Sequence, residues 1–287
     1  MKAAPPAIGP RPGDLTPLRI DEALVRKMLV SFLRDETAKA GMKRVVLGLS
    51  GGVDSAVVAA LAAEAFGAGQ VTALFTPYRQ SAPASRDHAK LVAEIYGIAL
   101  EEIDITPQID GYFARVPDAD RVRVGNKMAR ERKSIEYDRS WPDALVLGTS
   151  NKTELLLGYG TQFGDLASAL NPIGDLYKTQ LRELAIHVGV PKPVVEKPPS
   201  ADLWEGQTDE GELGFGYAEA DLVLYHLIDR RMRAEDLVAC GFDADLVRTI
   251  RSRVRRSHFK RVMPLIAKVS LRTVGHDFLY PRDWESD

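Results

Sequence analysis

The apolar positions change period along the chain, and those changes mark out its elements. Over residues 20–40, Leu24, Met28, Phe32 and Leu33 recur at helical spacing. Arg44-Val45-Val46-Leu47-Gly48-Leu49 is a short apolar run without alternation, as in a strand buried on both faces of a parallel sheet. From Asp54 to Phe66 the chain is rich in Ala and Val and predicts a helix closed by Gly67. A second strand over Val71–Thr76 ends at Pro77, a helix over 85–96 stops at Gly97, and a third strand over Leu100–Ile105 ends before Pro107. Residues 119–138 form a charged helical segment, Ala144–Gly148 a further buried strand, and a helix begins near Asn151. Another helix is expected from Asp175 to Val188, with Gly189 and Pro191 as its stop. Residues 189–216 are rich in Gly, Pro, Ser and acidic positions and read as a long loop; helical stretches near 217–232 and 234–258 precede an irregular tail.

Strand–helix alternation over 44–150 predicts an α/β fold: a doubly wound parallel sheet with helices on both faces, binding ligands at the carboxyl ends of its strands. Residues 1–18 are expected to be a flexible Pro-rich lead. Residues 19–287 are expected to form a single domain with a helical C-terminal extension, its core at about 40–190 and a mobile or ordered loop at about 189–216.

Composition narrows the classes. The 287 residues are 45% apolar and 27% charged, as in ordinary globular proteins. A net charge of −2 gives no general attraction to nucleic acid or anionic membrane, so neither is expected as a partner and any anionic ligand needs a local cluster. Cys240 is the only cysteine; an internal disulfide is excluded, a cysteine-based metal site is disfavoured, and the residue reads as a small buried hydrophobe. No run approaches the ~18 apolar residues of a membrane span, and the start lacks a signal-peptide core, so the expected location is cytoplasmic.

The strongest chemical signal is Ser50-Gly51-Gly52-Val53-Asp54-Ser55, between the first strand and its helix. Two glycines let backbone N–H groups approach a bulky anion, the helix start adds unpaired donors and a positive dipole end, and Ser50 and Ser55 add hydroxyls. Asp54 would repel a phosphate unless a Mg²⁺ ion bridges them. The alternative is a Gly-rich turn in which Asp54 and Ser55 merely cap a helix. No Gly-Lys-Ser/Thr or Gly-x-Gly-x-x-Gly follows, so neither the Walker loop nor the dinucleotide fingerprint applies.

The string resembles the SGGxDS signature of the ATP pyrophosphatases, whose loop grips departing pyrophosphate. Four more segments resemble the NAD synthetases within that group. Gly148-Thr149-Ser150-Asn151-Lys152-Thr153-Glu154 reads locally as a capping box, and by resemblance supplies Glu154 as a second Mg²⁺ ligand beside Asp54. Asp175-Leu176-Tyr177-Lys178-Thr179-Gln180 places Lys178 in a helical first turn, against the dipole unless a phosphate is near. Lys197-Pro198-Pro199-Ser200-Ala201-Asp202-Leu203-Trp204 and Gly206–Glu210 resemble a loop that closes over the active site. Gly125-Asn126-Lys127-Met128-Ala129-Arg130-Glu131-Arg132 resembles an Asn-x-x-Ala-Arg-x-Arg helix; Asn126 and Arg130 share a face, which otherwise reads as solvated.

The resemblance, covering roughly residues 20–285, implies an ATP site of Gly48, Leu49, Ser50, Gly51, Gly52, Val53, Asp54, Ser55, Thr149, Lys178 and Ser200. It implies a site for deamido-NAD at Asn126, Arg130, Gln162, Asp165, Phe259 and Lys260. Asp54, Lys178 and Asp165 would be catalytic, Asp165 as the group that positions or deprotonates ammonia. The chain departs from the common pattern at Gln162, Ala169 and Phe259, where many members carry Lys, Asp and His. The implied reaction joins ATP, deamido-NAD and ammonia through an acyl-adenylate, giving NAD, AMP and pyrophosphate, in a homodimer. The chain has no room for a glutaminase of roughly 200 residues beside this fold, so free ammonia is the expected nitrogen source, with a separate glutaminase subunit left open. Two rivals remain: a tRNA-modifying pyrophosphatase, suggested by the Arg-rich run Arg248–Arg261 but needing better-placed cysteines, and a nonenzymatic adenine-nucleotide sensor, which gives no reason for both Asp54 and Glu154.

Overall fold

The computed structural model describes residues 9–200, 202–204, 206–262 and 264–277. Residues 1–8 of the lead, Ala201 of the loop motif and the last ten residues of the chain lie outside these. Strands β1 (Arg44–Gly48), β2 (Val71–Phe75), β3 (Ala99–Glu102) and β4 (Ala144–Leu147) form one parallel sheet in the order β3-β2-β1-β4. β1 is central: Leu47 lies opposite Ala73 of β2 and Leu147 of β4. The strand order reverses beside β1, so the carboxyl ends of β1 and β4 flank the crevice where such sheets bind ligands.

Alternate residues of a strand face opposite sides. Val45 and Leu47 enter the main core beneath helix α2 (Val53–Phe66), while Val46 and Gly48 turn to the other face. α2 is apolar nearly all round, with Val53 and the run from Ser55 to Ala62 buried, as expected of a helix enclosed on every side. It lies between the sheet and helices α1 (Glu22–Lys39) and α7 (Lys178–His187), with α3 (Pro83–Tyr96) alongside. α5 (Arg121–Arg139) crosses the opposite face with α4 (Thr106–Phe113), around Tyr78, Ile105, Ile109 and Met128. A second core joins α10 (Tyr217–Leu224), α11 (Ala234–Ala239) and α12 (Ala244–Arg256) to Leu18, Tyr177 and Leu157 of α6 (Lys152–Leu157). The α/β architecture and its helical extension thus match the sequence expectation; Leu18, at the end of the lead, is buried in the extension's core.

Several elements differ from expectation. α7 begins at Lys178 and not at Asp175, because the Gln180 side chain accepts the Tyr177 N–H at 2.9 Å and fixes the start there. The stretch 234–258 is two helices: Gly241 takes φ +96°, and Asp243 restarts the chain by accepting the Leu246 N–H at 2.7 Å. Cys240, at the end of α11, is half-buried against the second core. Of the positions that marked α1, Leu33 is buried but Leu24, Met28 and Phe32 are exposed; its inward face is Val30, Leu33 and Thr37. Inside the 189–216 loop lie the short helices α8 (Lys192–Val195) and α9 (Asp209–Leu213). No helix among the described residues is long and apolar enough to cross a membrane.

Leu61, on α2, is fully buried in the main core. Leu61→Ala is expected to lower stability by about 2–5 kcal/mol, read as a reduced midpoint in urea unfolding.

Candidate active site

The turn from β1 to α2 is held by its own hydroxyls. Ser55 Oγ accepts the Ser50 N–H at 3.2 Å and donates to the Gly52 carbonyl at 3.0 Å, and the Gly52 N–H donates to Ser50 Oγ at 3.3 Å. Val53, Asp54 and Ser55 open the helix, where N–H groups have no intrahelical acceptor, an end that favours anions. The two glycines serve different ends. Gly51 takes φ +76°, and a Cβ there would lie 2.2 Å from the Ser85 carbonyl oxygen of α3. Gly52 has φ −96° and would meet only Ser50 Oγ, at 3.4 Å.

Three helix starts converge beside this turn. Asn151 caps α6 by accepting the Glu154 N–H at 3.0 Å, while Glu154 Oε2 accepts the Asn151 N–H at 3.3 Å, which completes the capping box read from the sequence. Asn151 Nδ2 also donates to Asp54 Oδ1 at 2.8 Å. Lys178, the first residue of α7, is 2% exposed and points its ammonium at both carboxylates: 2.5 Å to Asp54 Oδ2 and 3.4 Å to Glu154 Oε1. A Lys178 with its charge in solvent is thereby excluded. Burial raises the Glu154 carboxyl above its usual range, Asp54 repulsion adds to this, and Lys178 opposes both. Burial alone would lower Lys178, but Asp54 and then Glu154 outweigh it and raise it.

Behind these groups, Thr153 Oγ1 donates to Asp221 Oδ1 at 2.5 Å and accepts the Lys178 N–H at 3.0 Å, and Asp221 Oδ2 accepts the Thr179 N–H at 2.8 Å. The helical extension therefore braces the starts of α6 and α7. Asp209 of α9 accepts from Tyr159 and Tyr217 at 3.0 and 2.9 Å, and the Tyr217 ring lies 5.3 Å from the Lys178 ammonium.

A cavity of about 620 Å³ opens at the carboxyl ends of the strands. Gly48, Leu49, Ser50, Gly52, Val53, Asp54, Ser55, Thr149, Glu154, Lys178 and Ser200 all line it, as do Asn126, Asp165 and Lys260 from the expected second-substrate group. Gly51 sits behind the wall, against Ser85. Arg130, Gln162 and Phe259 lie outside the lining but meet one another: Arg130 Nε donates to the Gln162 carbonyl at 3.1 Å, and Gln162 Nε2 to the Phe259 carbonyl at 3.4 Å. Lys260 donates to the Gly158 and Gly160 carbonyls at 2.8 and 2.7 Å. Asn126 Oδ1 accepts from Thr161 at 2.7 Å. Asp165 faces the open cavity while the surrounding chain shields it from bulk water; that desolvation raises its carboxyl, and the Thr161 N–H at 2.9 Å pulls the other way.

Several lining groups have no individual role assigned by the sequence pattern, although Lys197 and Asp202 belong to the loop it sets over the site. Lys133 and Glu136, three apart on α5, form a buried pair at 2.5 Å, with Glu136 Oε1 only 2.5 Å from where a Gly48 Cβ would stand. Asp202, at φ +51°, accepts from Ala82 N at 3.1 Å and Ser85 Oγ at 2.9 Å, and Lys197 also reaches Ser85 Oγ at 2.9 Å; these bonds fasten the 197–209 segment over the cavity. The i, i+3 spacing of Lys133 and Glu136 is visible in the sequence, but it equally describes a solvated ion pair.

A serine–glycine turn, two carboxylates and a buried lysine at the switch point of a parallel sheet define an α/β nucleotide-handling protein of the ATP pyrophosphatase type. The chain belongs to the NAD synthase family, whose model matches residues 25–264. It is 60% identical to an NH(3)-dependent NAD(+) synthetase of Trichlorobacter lovleyi, over 93% of this chain and 98% of that one. It is 54% identical to the enzyme of the same name from Chlorobaculum tepidum, over 93% and 97%. Among solved structures, an NH3-dependent NAD synthetase from Campylobacter jejuni matches with a TM-score of 0.74 and 32% identity over 87% of this chain and all of that one. An NMN synthetase from Francisella tularensis matches at 0.77 and 32%, over 87% and 99%.

The two glycines of the turn should respond differently to a methyl group. Gly51→Ala meets a backbone carbonyl at a left-handed φ and is expected to cost about 1–3 kcal/mol; Gly52→Ala, at a helix cap, should cost under about 1 kcal/mol. Thermal unfolding of the two variants checks the contrast.

Proposed function

We propose that the protein amidates deamido-NAD to NAD with ammonia, consuming ATP and releasing AMP and pyrophosphate. High identity to ammonia-dependent NAD synthetases along nearly the whole of those chains supports this reading. A glutamine-dependent NAD synthetase of Acinetobacter baumannii also matches, at 29% identity and a TM-score of 0.60, but this chain spans 48% of it. In this reading free ammonia is the nitrogen source, supported by the match along nearly the whole length of ammonia-dependent enzymes, and a separate glutaminase subunit stays open. The single observation that carries the chemistry is the meeting of Asp54, Glu154 and Lys178 beside the Ser50–Ser55 turn.

A carboxylate resists ammonia because its charge repels the nucleophile and oxide is a poor leaving group. The nicotinate carboxylate attacks the α-phosphorus of ATP, an O–P bond forms, and pyrophosphate leaves. Ammonia then forms a C–N bond at the activated carbonyl, the C–O bond to AMP breaks, and one ammonia proton passes to a base. The N–H groups of the β1–α2 turn and the Lys178 ammonium bind and stabilise the departing pyrophosphate. Asp165 would orient ammonia and take its proton, a role supported by its position on the cavity wall. Thr149 and Ser200 would contribute hydroxyls to the nucleotide and Asn126 and Lys260 would meet the second substrate, whereas Arg130, Gln162 and Phe259 lie outside the cavity lining.

Asp54 and Glu154 would hold Mg²⁺. Their oxygens already converge on one cation, the Lys178 ammonium, and among the described residues no group of three or more His, Cys, Asp or Glu forms a closed cage. Two hard carboxylates with room for water and phosphate oxygens suit Mg²⁺. When bound, it neutralises charge on the triphosphate. Homodimerisation and a cytoplasmic location belong to the same proposal, resting on the family. The tRNA reading is disfavoured by the match to NAD synthetases along nearly their whole length; within its Arg-rich run, Arg261 is turned inward and donates to the carbonyls of Leu155, Leu156 and Val254.

Incubation with ATP, Mg²⁺, ammonium and deamido-NAD labelled with ¹⁸O in its carboxylate should yield NAD and AMP in equal amounts, one ¹⁸O appearing in AMP. Unlabelled AMP, or ADP as product, would reject the acyl-adenylate; nicotinate mononucleotide in place of the dinucleotide tests the shorter substrate. Asp54→Ala should reduce kcat by about 10²-fold or more.

A further inference from the structure

Lys178 is an unexpected residue at its position. It opens α7, where the helix dipole disfavours a cation, and its side chain is almost wholly buried. Both costs are offset by Asp54 at 2.5 Å, Glu154 at 3.4 Å and the Tyr217 ring face at 5.3 Å. The ammonium therefore sits on the same two carboxylates that, on the functional reading above, receive a divalent cation.

We propose that Lys178 is the resident counter-ion of Asp54 and Glu154, and that it makes this pair selective for a divalent cation arriving with a triphosphate over the same cation alone. A free divalent ion would meet the carboxylates already neutralised in part and a desolvated ammonium beside them. Asp209 also acts on the Lys178 charge, but both its oxygens are already bonded, to Tyr159 and Tyr217, so an ammonium leaving Asp54 and Glu154 needs a further anion, since a buried unpaired charge is strongly unfavourable. A triphosphate lying on the Ser50–Ser55 turn supplies that anion. Lys178 then moves from carboxylate to phosphate as the cation takes its place, so that one exchange loads the metal and readies the lysine for the leaving pyrophosphate. The Lys178 backbone stays anchored throughout, its N–H held by Thr153 Oγ1 at 3.0 Å.

The test is Mn²⁺ binding, followed by electron paramagnetic resonance without nucleotide, in the unmodified protein and in Lys178→Met and Lys178→Gln. The variants should bind one Mn²⁺ about tenfold or more tightly than the unmodified protein. Adding Asp54→Asn to either should abolish the gain, and Lys152→Met, which removes a neighbouring lysine bonded to Asp229 instead, should show none. Equal Mn²⁺ affinity in the unmodified protein and the Lys178 variants overturns the proposal. Should neither variant fold, ¹⁵N NMR of the Lys178 ammonium in the unmodified protein decides: Mg²⁺ alone should leave its resonance in place and Mg²⁺ with ATP should shift it, whereas a shift by Mg²⁺ alone overturns the proposal. The amidation assay is separate. NAD formation without the Mn²⁺ gain sinks the counter-ion role and leaves the functional reading intact; the gain without NAD formation does the reverse.

Discussion

Like charges brought close together in a partly desolvated pocket repel, and Asp54 and Glu154 are held together only because a third group lies between them. Each carboxylate belongs to the first turn of a helix, α2 and α6, whose positive dipole end favours it. Lys178 belongs to the first turn of a third helix, α7, whose dipole opposes it. The ion pairs at 2.5 and 3.4 Å thus join three helix starts that local preferences alone would not assemble. Asn151 tightens the same junction, capping α6 with one end of its amide and donating to Asp54 with the other.

The scaffold brings those starts together in two ways. The reversal of strand order beside β1 opens the crevice, and the small side chains of α2 let that helix lie enclosed between the sheet and α1 and α7. The C-terminal helices then act from behind. Asp221 of α10, fully buried, grips Thr153 and the Thr179 N–H, so the extension fixes where α6 and α7 begin. That brace adds to the bonds that Asn151 and Lys178 make to Asp54 from the front.

Much of this was readable in the chain. The unbroken apolar runs announced buried parallel strands, and the Ser-Gly-Gly turn followed by an Ala-rich helix announced an anion site, because both signals are local. Asn151 and Glu154 were legible as a capping box for the same reason. The burial of Lys178 was not, since it depends on Asp54, 124 positions away. Asp202 and Asp209 sat in what looked like a polar loop, and only tertiary contact with Ser85, Tyr159 and Tyr217 gives them their places. The break between α11 and α12 carried a signal that periodicity overrode: glycine at 241 and a capping aspartate at 243 are stop and start marks within an otherwise continuous amphipathic pattern.

Gly48 ends the central strand with its Cα turned to α5, and the Glu136 carboxylate occupies the space a side chain would need. Two residues 88 positions apart thereby share one volume. Among relatives, a larger residue at the first should be accompanied by a shorter one at the second, and with it the loss of a partner for Lys133. Evolution at the strand's end is then coupled to the charge of the cavity floor.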